Sequence, residues 1–471
     1  MQHTLFFPMM IHGFGFLSLS ASLVLPWALT GLVQGQKITE SLFKDVPQSS
    51  TVQEIPLPNR KLISRISTAT TYYVSSNGND RNSGLSTSSA FRTLQRAANL
   101  TNPGDTVLIM NGEYKNEPKN GAVLGIKRSG TANAWIKYKA YPGHFPKIQH
   151  NTWNGISITG ASYIEINGLE VIGNNAHINY DYAYASSQNK EAQSNRLTNG
   201  NCISIEPGDK GRSHHINILN NKVHDCGGAG ISAKQADYVK VDNNTVFNNS
   251  WYTVYGCSGI SMLDNWSSDN KQGYKIFVTN NKSYNNRMYI PWFKAGKITD
   301  GNGIIVDVSK GYRGRILVAN NITYKNGGSG IHAHDSQHID IINNTAYLNQ
   351  QSPEVKKKAK GEIYAGYSSD VKIFNNIMYA SPGNAVNSNM KNVNVSYNYN
   401  VYSNNSTINI TGSHDMIADP QFVNASARDF RLKSTSPAIN SGLKWSSLTT
   451  DFLGNPRVSG YAPDRGAYEN R

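Results

Sequence analysis

Cysteine is scarce, with three in 471 residues, which excludes a disulfide-built scaffold. Charge is scarce too, at 16% of residues, yet 26 Tyr and 38% hydrophobic residues spread along the chain exclude disorder. Long apolar runs are missing beyond the extreme N-terminus, which excludes a polytopic membrane protein. Acids are the minority charge: 31 Asp+Glu face 45 Lys+Arg, for a net charge of +14. A surplus of that size attracts a polyanion at long range. No nucleic-acid-binding motif is recognisable, so the expected partner is an acidic polymer other than nucleic acid.

The N-terminal apolar run extends from about Phe14 to Val33. It lacks a basic leader, since no Lys or Arg precedes Lys37, and it lacks a clean small-residue cleavage site. Its length still points to export, with residues 1–36 as a signal peptide or membrane anchor. The expected location is secreted, cell-surface or periplasmic, with membrane contact only through that anchor. Residues 37–70 hold Pro47, Pro56 and Pro58 and read as a linker.

What the chain has in excess is asparagine, at about 12% of residues. Asn pairs follow short apolar strands: INILNNKV (216–223), VKVDNNTV (239–246), FVTNNKSY (277–284), LVANNITY (317–324), IDIINNTA (339–346) and VKIFNNIM (371–378). The pairs recur at intervals of about 23, 37, 40, 23 and 32 residues, the short interval lying in the solenoid range and the long ones implying insertions. A second strand type follows: NCISIE (201–206), GAGISAK (228–234), CSGISML (257–263), GNGIIVD (301–307), GSGIHAH (328–334) and GEIYAG (361–366). Short strands at this period, without helices between them, predict parallel coils stacked about 4.8 Å apart. Asn suits the turns because it tolerates left-handed backbone, and stacked amides can form hydrogen-bonded ladders. AFRTLQRAANL (90–100) places Phe91, Leu94, Ala98 and Leu100 on one helical face, as a cap on such a stack requires.

YYVSSNGND…FRTLQRAANLTNPGDTVLIMNGEY resembles the N-terminal cap of the right-handed parallel β-helix group that includes pectate and alginate lyases. DPQFVN…DFRLKSTSPAINSG…DFLGNPR…DRGAYE (419–469) resembles that group's usual C-terminal segment. The resemblance covers roughly residues 71–469 and implies an all-β, single-stranded right-handed parallel β-helix. The expected divisions are 71–150 for the cap and first coils, 151–410 for the repeats, and 411–471 for a last coil and cap. A monomer is expected. The group also holds epimerases, hydrolases and non-catalytic surface proteins.

Alternation predicts that Ile203/Ile205, Ile231/Ala233, Ile260/Met262, Ile304/Val306, Ile331/Ala333 and Ile363/Ala365 point inward. One outward column then reads Glu206, Lys234, Leu263, Asp307, His334, and its companion reads Ser204, Ser232, Ser261, Ile305, His332, Tyr364. Inserted loops 248–259 and 286–303 carry Trp251, Tyr252, Tyr255, Trp292 and Phe293, rings that would stack on sugars or pack on their own coil. Arg313 and Arg315 are forks that fit a carboxylate.

Uronate polymers break by β-elimination, which needs a base at C5, a partner for the carboxylate and an acid for the leaving oxygen. The resemblance implies a lysine or arginine base, and Lys234 has the best position in the column. Tyr252, Tyr255 and His334 are candidate proton-transfer groups. Glu206, Arg313, Arg315, Trp251 and Trp292 are candidate substrate contacts. Asp300 and Asp307 are candidate Ca²⁺ ligands, although no Asp-Asp pair of the calcium-dependent relatives occurs in the sequence. His332, His334 and His338 would need a fourth ligand to hold zinc. Cys202, Cys226 and Cys257 are expected to be buried free thiols. The expected activity is an exported lyase of acidic polysaccharide. A glycan-binding surface protein, a C5-epimerase and a glycoside hydrolase are the alternatives.

Overall fold

The computed structural model describes residues 69–116, 121–356 and 360–471, which lie in one unit, Ile66–Arg471. The expected leader, 1–36, and the expected linker up to residue 68 lie outside the described residues. Among the described residues no helix is long and apolar enough to cross a membrane.

The chain winds into a right-handed parallel β-helix. One coil runs Asn201–Glu206, His214–Leu219, Lys222–His224, and the next begins at Ile231–Lys234. Each strand pairs in parallel with its counterpart one coil away, which builds three sheets. Sheet A has 11 strands, the short-stranded sheet B has 11, and sheet C has 9. The sequence pattern shows two strand types, because the three-residue strands of sheet B are hidden directly behind each Asn pair.

The core forms as alternation predicts. Ile203, Ile231, Ile260, Ile304, Ile331 and Ile363 stack in register up sheet C, and each is 0% exposed. The first Asn of each pair that follows a sheet A strand takes left-handed backbone, with φ of 55–58° at Asn220, Asn243, Asn280, Asn320, Asn343 and Asn375. The second Asn is buried and joins a ladder through Asn221, Asn244, Asn281, Asn321, Asn344, Asn376 and Asn400. Each backbone N–H and side-chain amide donates to the next Asn Oδ1 at 2.9–3.1 Å. The donors all point one way, and the last of them meets the carboxylate of Asp415. A second ladder, marked by an Asn pair only at Asn248–Asn249 and Asn285–Asn286, runs Asn249, Asn286, Asn326, Asn349 and ends on buried Glu362.

A short helix, Leu94–Ala98, packs against the first coils and is capped by the Thr93 hydroxyl. The C-terminal segment does more than close the end. It folds back along the helix, where Asn320 and Asn343 donate to the Thr450 and Asp464 carbonyls at 2.8 and 2.7 Å.

The cysteine expectation needs correction. Cys202 and Cys226 form a disulfide, with Cα atoms 5.6 Å apart, and only Cys257 stays free among the three. Cys202 opens a sheet C strand and Cys226 enters the turn before the next one, so coil stacking brings them to one corner. Burial pushes the Cys257 thiol up to about 12. His150 is buried against this disulfide, and desolvation pulls its pKa down to about 4 from 6.5. The native state therefore refuses a proton that the unfolded chain accepts below 6.5. Stability is full above that pH and falls as pH drops toward 4, by roughly 3 kcal/mol from this group. Melting temperatures between pH 7 and pH 4 check this. An equally steep decline in His150→Gln removes the assignment.

Candidate active site along one sheet

The outward residues of sheet C form one continuous line. Thr159 pairs with Glu206; Lys234 pairs with Leu263, Leu263 with Asp307, Asp307 with His334, and His334 with Gly366. Parallel pairing without register shifts keeps every second side chain on this face, about 4.8 Å from its neighbour. Ser204 and Ser232 link the coils of Glu206 and Lys234 in the companion column.

Chemical groups concentrate toward the C-terminal half of the line. His334 Nδ1 lies 3.0 Å from Asp307 Oδ1, and both side chains reach solvent. That hydrogen bond raises the His334 pKa above the ordinary imidazole value, against the effect of burial. Asp300 sits behind them on the inserted loop. Burial raises its pKa, while a hydrogen bond from Thr299 at 2.6 Å and the charge of Lys360 oppose the rise. Asp307 pushes the Asp300 pKa further up, so one carboxylate of this pair is shifted toward its protonated form while the other lies against an imidazole. Asn302 donates to the other Asp300 oxygen at 3.2 Å, and Lys360 donates to the Thr299 carbonyl at 3.0 Å. A methyl group at Gly256 would lie 2.8 Å from Asp300 Oδ2 and 3.5 Å from the Trp292 ring, so glycine there lets the two loops close on the carboxylate.

His332 occupies the companion column, buried, with its ring 4.0 Å from that of Tyr364. Desolvation holds it neutral, its Nδ1 lies 3.3 Å from the Tyr364 hydroxyl, and its Nε2 has no partner among the described residues. His338 does not join it. His338 lies in sheet A and binds Asp370 at 2.7 Å, because the turn after His334 carries the chain to another face.

Other expected residues separate by face. Glu206 is on the line and accepts from the Ser204 hydroxyl at 2.5 Å. Lys234 is on the line, exposed, and has no ion-pair partner among the described residues. Trp292 stands beside Asp300. Trp251, Tyr252 and Tyr255 build a wall of inserted loops with Val254, Ile290 and the segment around Ile178–Ala192. The Trp251 indole donates to the Asn285 carbonyl at 3.2 Å, and the Tyr255 hydroxyl donates to the Gln193 carbonyl at 3.1 Å. Burial raises both tyrosine pKa values. Arg313 lines a cavity with Gln235 and Asp264, at the turn just past Lys234 and Leu263.

Arg315 is the residue the structure takes away from the line. It belongs to sheet A and holds two carboxylates, Asp340 at 2.6 Å and Asp370 at 2.7 Å. The sequence spacing from Asp307 suggests a neighbour, but the intervening turn delivers Arg315 to a different sheet. Asp340 is buried, so Arg315→Ala leaves an uncompensated charge and is expected to lower stability by about 3 kcal/mol. Denaturant unfolding measures this, and a loss under 1 kcal/mol would contradict it.

Calcium takes six to eight oxygen ligands. Here the two carboxylates, Asp300 and Asp307, already carry hydrogen bonds and are flanked by Lys360 and His334. This donor set does not fit Ca²⁺. The one cluster of three metal-capable side chains among the described residues is His150, Cys202 and Cys226, and the disulfide closes it.

The sequence pattern described as Pel9A-like, right-handed β-helix region matches residues 72–362. Among solved structures, pectate lyase Pel9A aligns with a TM-score of 0.50 at 17% identity, over 86% of this chain and 98% of its own. A rhamnogalacturonan lyase aligns at 0.47 and 15% identity, over 82% and 99%. An alginate lyase from Paenibacillus sp. str. FPU-7 aligns at 0.32 and 13% identity, over 69% and 95%. At these identities the likeness is one of fold. No curated protein matches the sequence.

Proposed function

From a chain that belongs to the Pel9A-like right-handed β-helix family, we propose an enzyme that cleaves an acidic polysaccharide by β-elimination along the outer face of sheet C. The observation that carries this reading is the line itself, with free Lys234 on one side of Leu263 and the Asp307–His334 pair on the other. Lys234 takes the C5 proton. The electron pair forms the C4–C5 double bond, the C4–O bond breaks, and the imidazolium of His334 protonates the departing oxygen. Asp307 favours the charged form of His334 for that transfer. Arg313, in the cavity just beyond the strand end, is the cation for the uronate carboxylate. The net charge of +14 concentrates such a polymer at the surface. Export fits the Cys202–Cys226 disulfide, which persists in oxidising compartments.

A second reading rests on the unequal carboxylates. Asp300, pushed toward its protonated form, and Asp307, paired with an imidazole, have the opposed character of a hydrolase acid and base. One assay separates the two. Alginate, pectate and glucuronate polymers are incubated with the full chain. Product with the ultraviolet absorbance of an unsaturated uronate supports elimination, new reducing ends without it support hydrolysis, and neither leaves an epimerase or a binding protein.

A further inference from the structure

The line on sheet C does not end at Glu206. Toward the N-terminal end of the helix, Thr159 pairs with Glu206, Ser157 with Ser204, and Gly125 with Ser157, so the same outward face runs on for two more coils. There it opens into a cavity of about 590 Å³ between the face and the Leu94–Ala98 helix. Its lining includes Lys127, Arg128, Trp153, Asn154, Ser157 and Thr159, and among the described residues no acidic side chain. Lys127 and Arg128 are exposed, and Trp153 is exposed by 36%. The Arg128 guanidinium is fixed by the Thr101 carbonyl and by Asn102 Oδ1. Asn154 Oδ1 is buried in the wall without a hydrogen-bond partner among the described residues. A fixed guanidinium beside an exposed lysine, an open indole and an unmet acceptor in one concave site are the complement of an anionic sugar.

We propose that this cavity is a distal subsite that binds a uronate residue of the polymer, with its carboxylate toward Lys127 and Arg128 and its ring on Trp153. Four coil steps separate Thr159 from Asp307, a distance of about 19 Å along the helix axis. A chain held at both places spans several sugars, so the subsite selects long polymer over short oligomer. This rests on the reading of an acidic polymer in the groove.

The test uses the full chain, with polygalacturonate, its fully methyl-esterified neutral form, and a uronate disaccharide as probes. Binding is measured by calorimetry for the wild type, Trp153→Ala and Lys127→Ala. Both variants are expected to lose roughly ten-fold in affinity for polygalacturonate. Lys127→Ala should leave the neutral polymer unaffected, and the disaccharide, too short to reach both places, should bind the wild type more weakly than polygalacturonate. Both positions are exposed, so unchanged melting temperatures verify the fold. Wild-type affinity for polygalacturonate in both variants overturns the subsite alone. Failure of the wild-type chain to bind any acidic polymer overturns the subsite together with the functional reading beneath it.

Discussion

Lys234→Ala should lower formation of unsaturated product by about 10³-fold, the scale of a lost general base. The side chain is exposed and makes no ion pair among the described residues, so its removal disturbs no packing and stability should stay within about 0.5 kcal/mol of wild type. Asp307→Asn should give a loss of similar size by a different route. It removes the charge that favours the protonated form of His334, so the loss should deepen as pH rises through the neutral range. If Lys234→Ala keeps its rate while Asp300→Asn and Asp307→Asn both lose it, the base is misassigned and the carboxylate pair performs the chemistry.

The largest effect on folding is expected from Asn281→Ala, at about 4 kcal/mol. Asn281 Oδ1 accepts from the Asn244 backbone N–H and side-chain amide, both at 3.0 Å. Its own amide donates to the Val241 carbonyl at 2.9 Å and to Asn321 Oδ1 at 3.0 Å. All of this is shut away from water, since Asn281 and Asn321 are 0% exposed. Alanine leaves the Asn244 N–H without an acceptor and interrupts an aligned run of dipoles, and each buried unmet group costs about 1–3 kcal/mol. Asn243→Gly is the contrast. Asn243 holds a left-handed φ of 55°, which glycine adopts freely, and its side chain is exposed, so the change should be within about 0.5 kcal/mol. Chemical denaturation of both variants measures the difference, and equal losses would sink the ladder argument.

Each Asn pair thus divides two jobs that sequence alone merges. The same dipeptide reads as a turn signal at both positions. Only the neighbouring coil shows that the second position is a buried acceptor and the first a backbone hinge. The second ladder was less visible, because Lys325 and Leu348 stand where a first Asn would be and still take φ of 53° and 48°. The distal cavity was visible in part. NTWNGISIT has the alternation of a sheet C strand, and extending the outward column backward from Glu206 reaches Thr159 and Ser157.

The sequence by itself determined the coil: the period, the inward isoleucines, and the line through Glu206, Lys234, Asp307 and His334. These follow from local rules, since alternation assigns a side chain to a face and stacked amides hold the register from coil to coil. The tertiary structure alone decided what the corners and insertions bring together. It joined Cys202 to Cys226, set Asp300 behind Asp307, sent Arg315 and His338 to sheet A, and opened the cavity beside Trp153. Those outcomes depend on how loops of unequal length pack across coils distant in sequence, and no local periodicity encodes that.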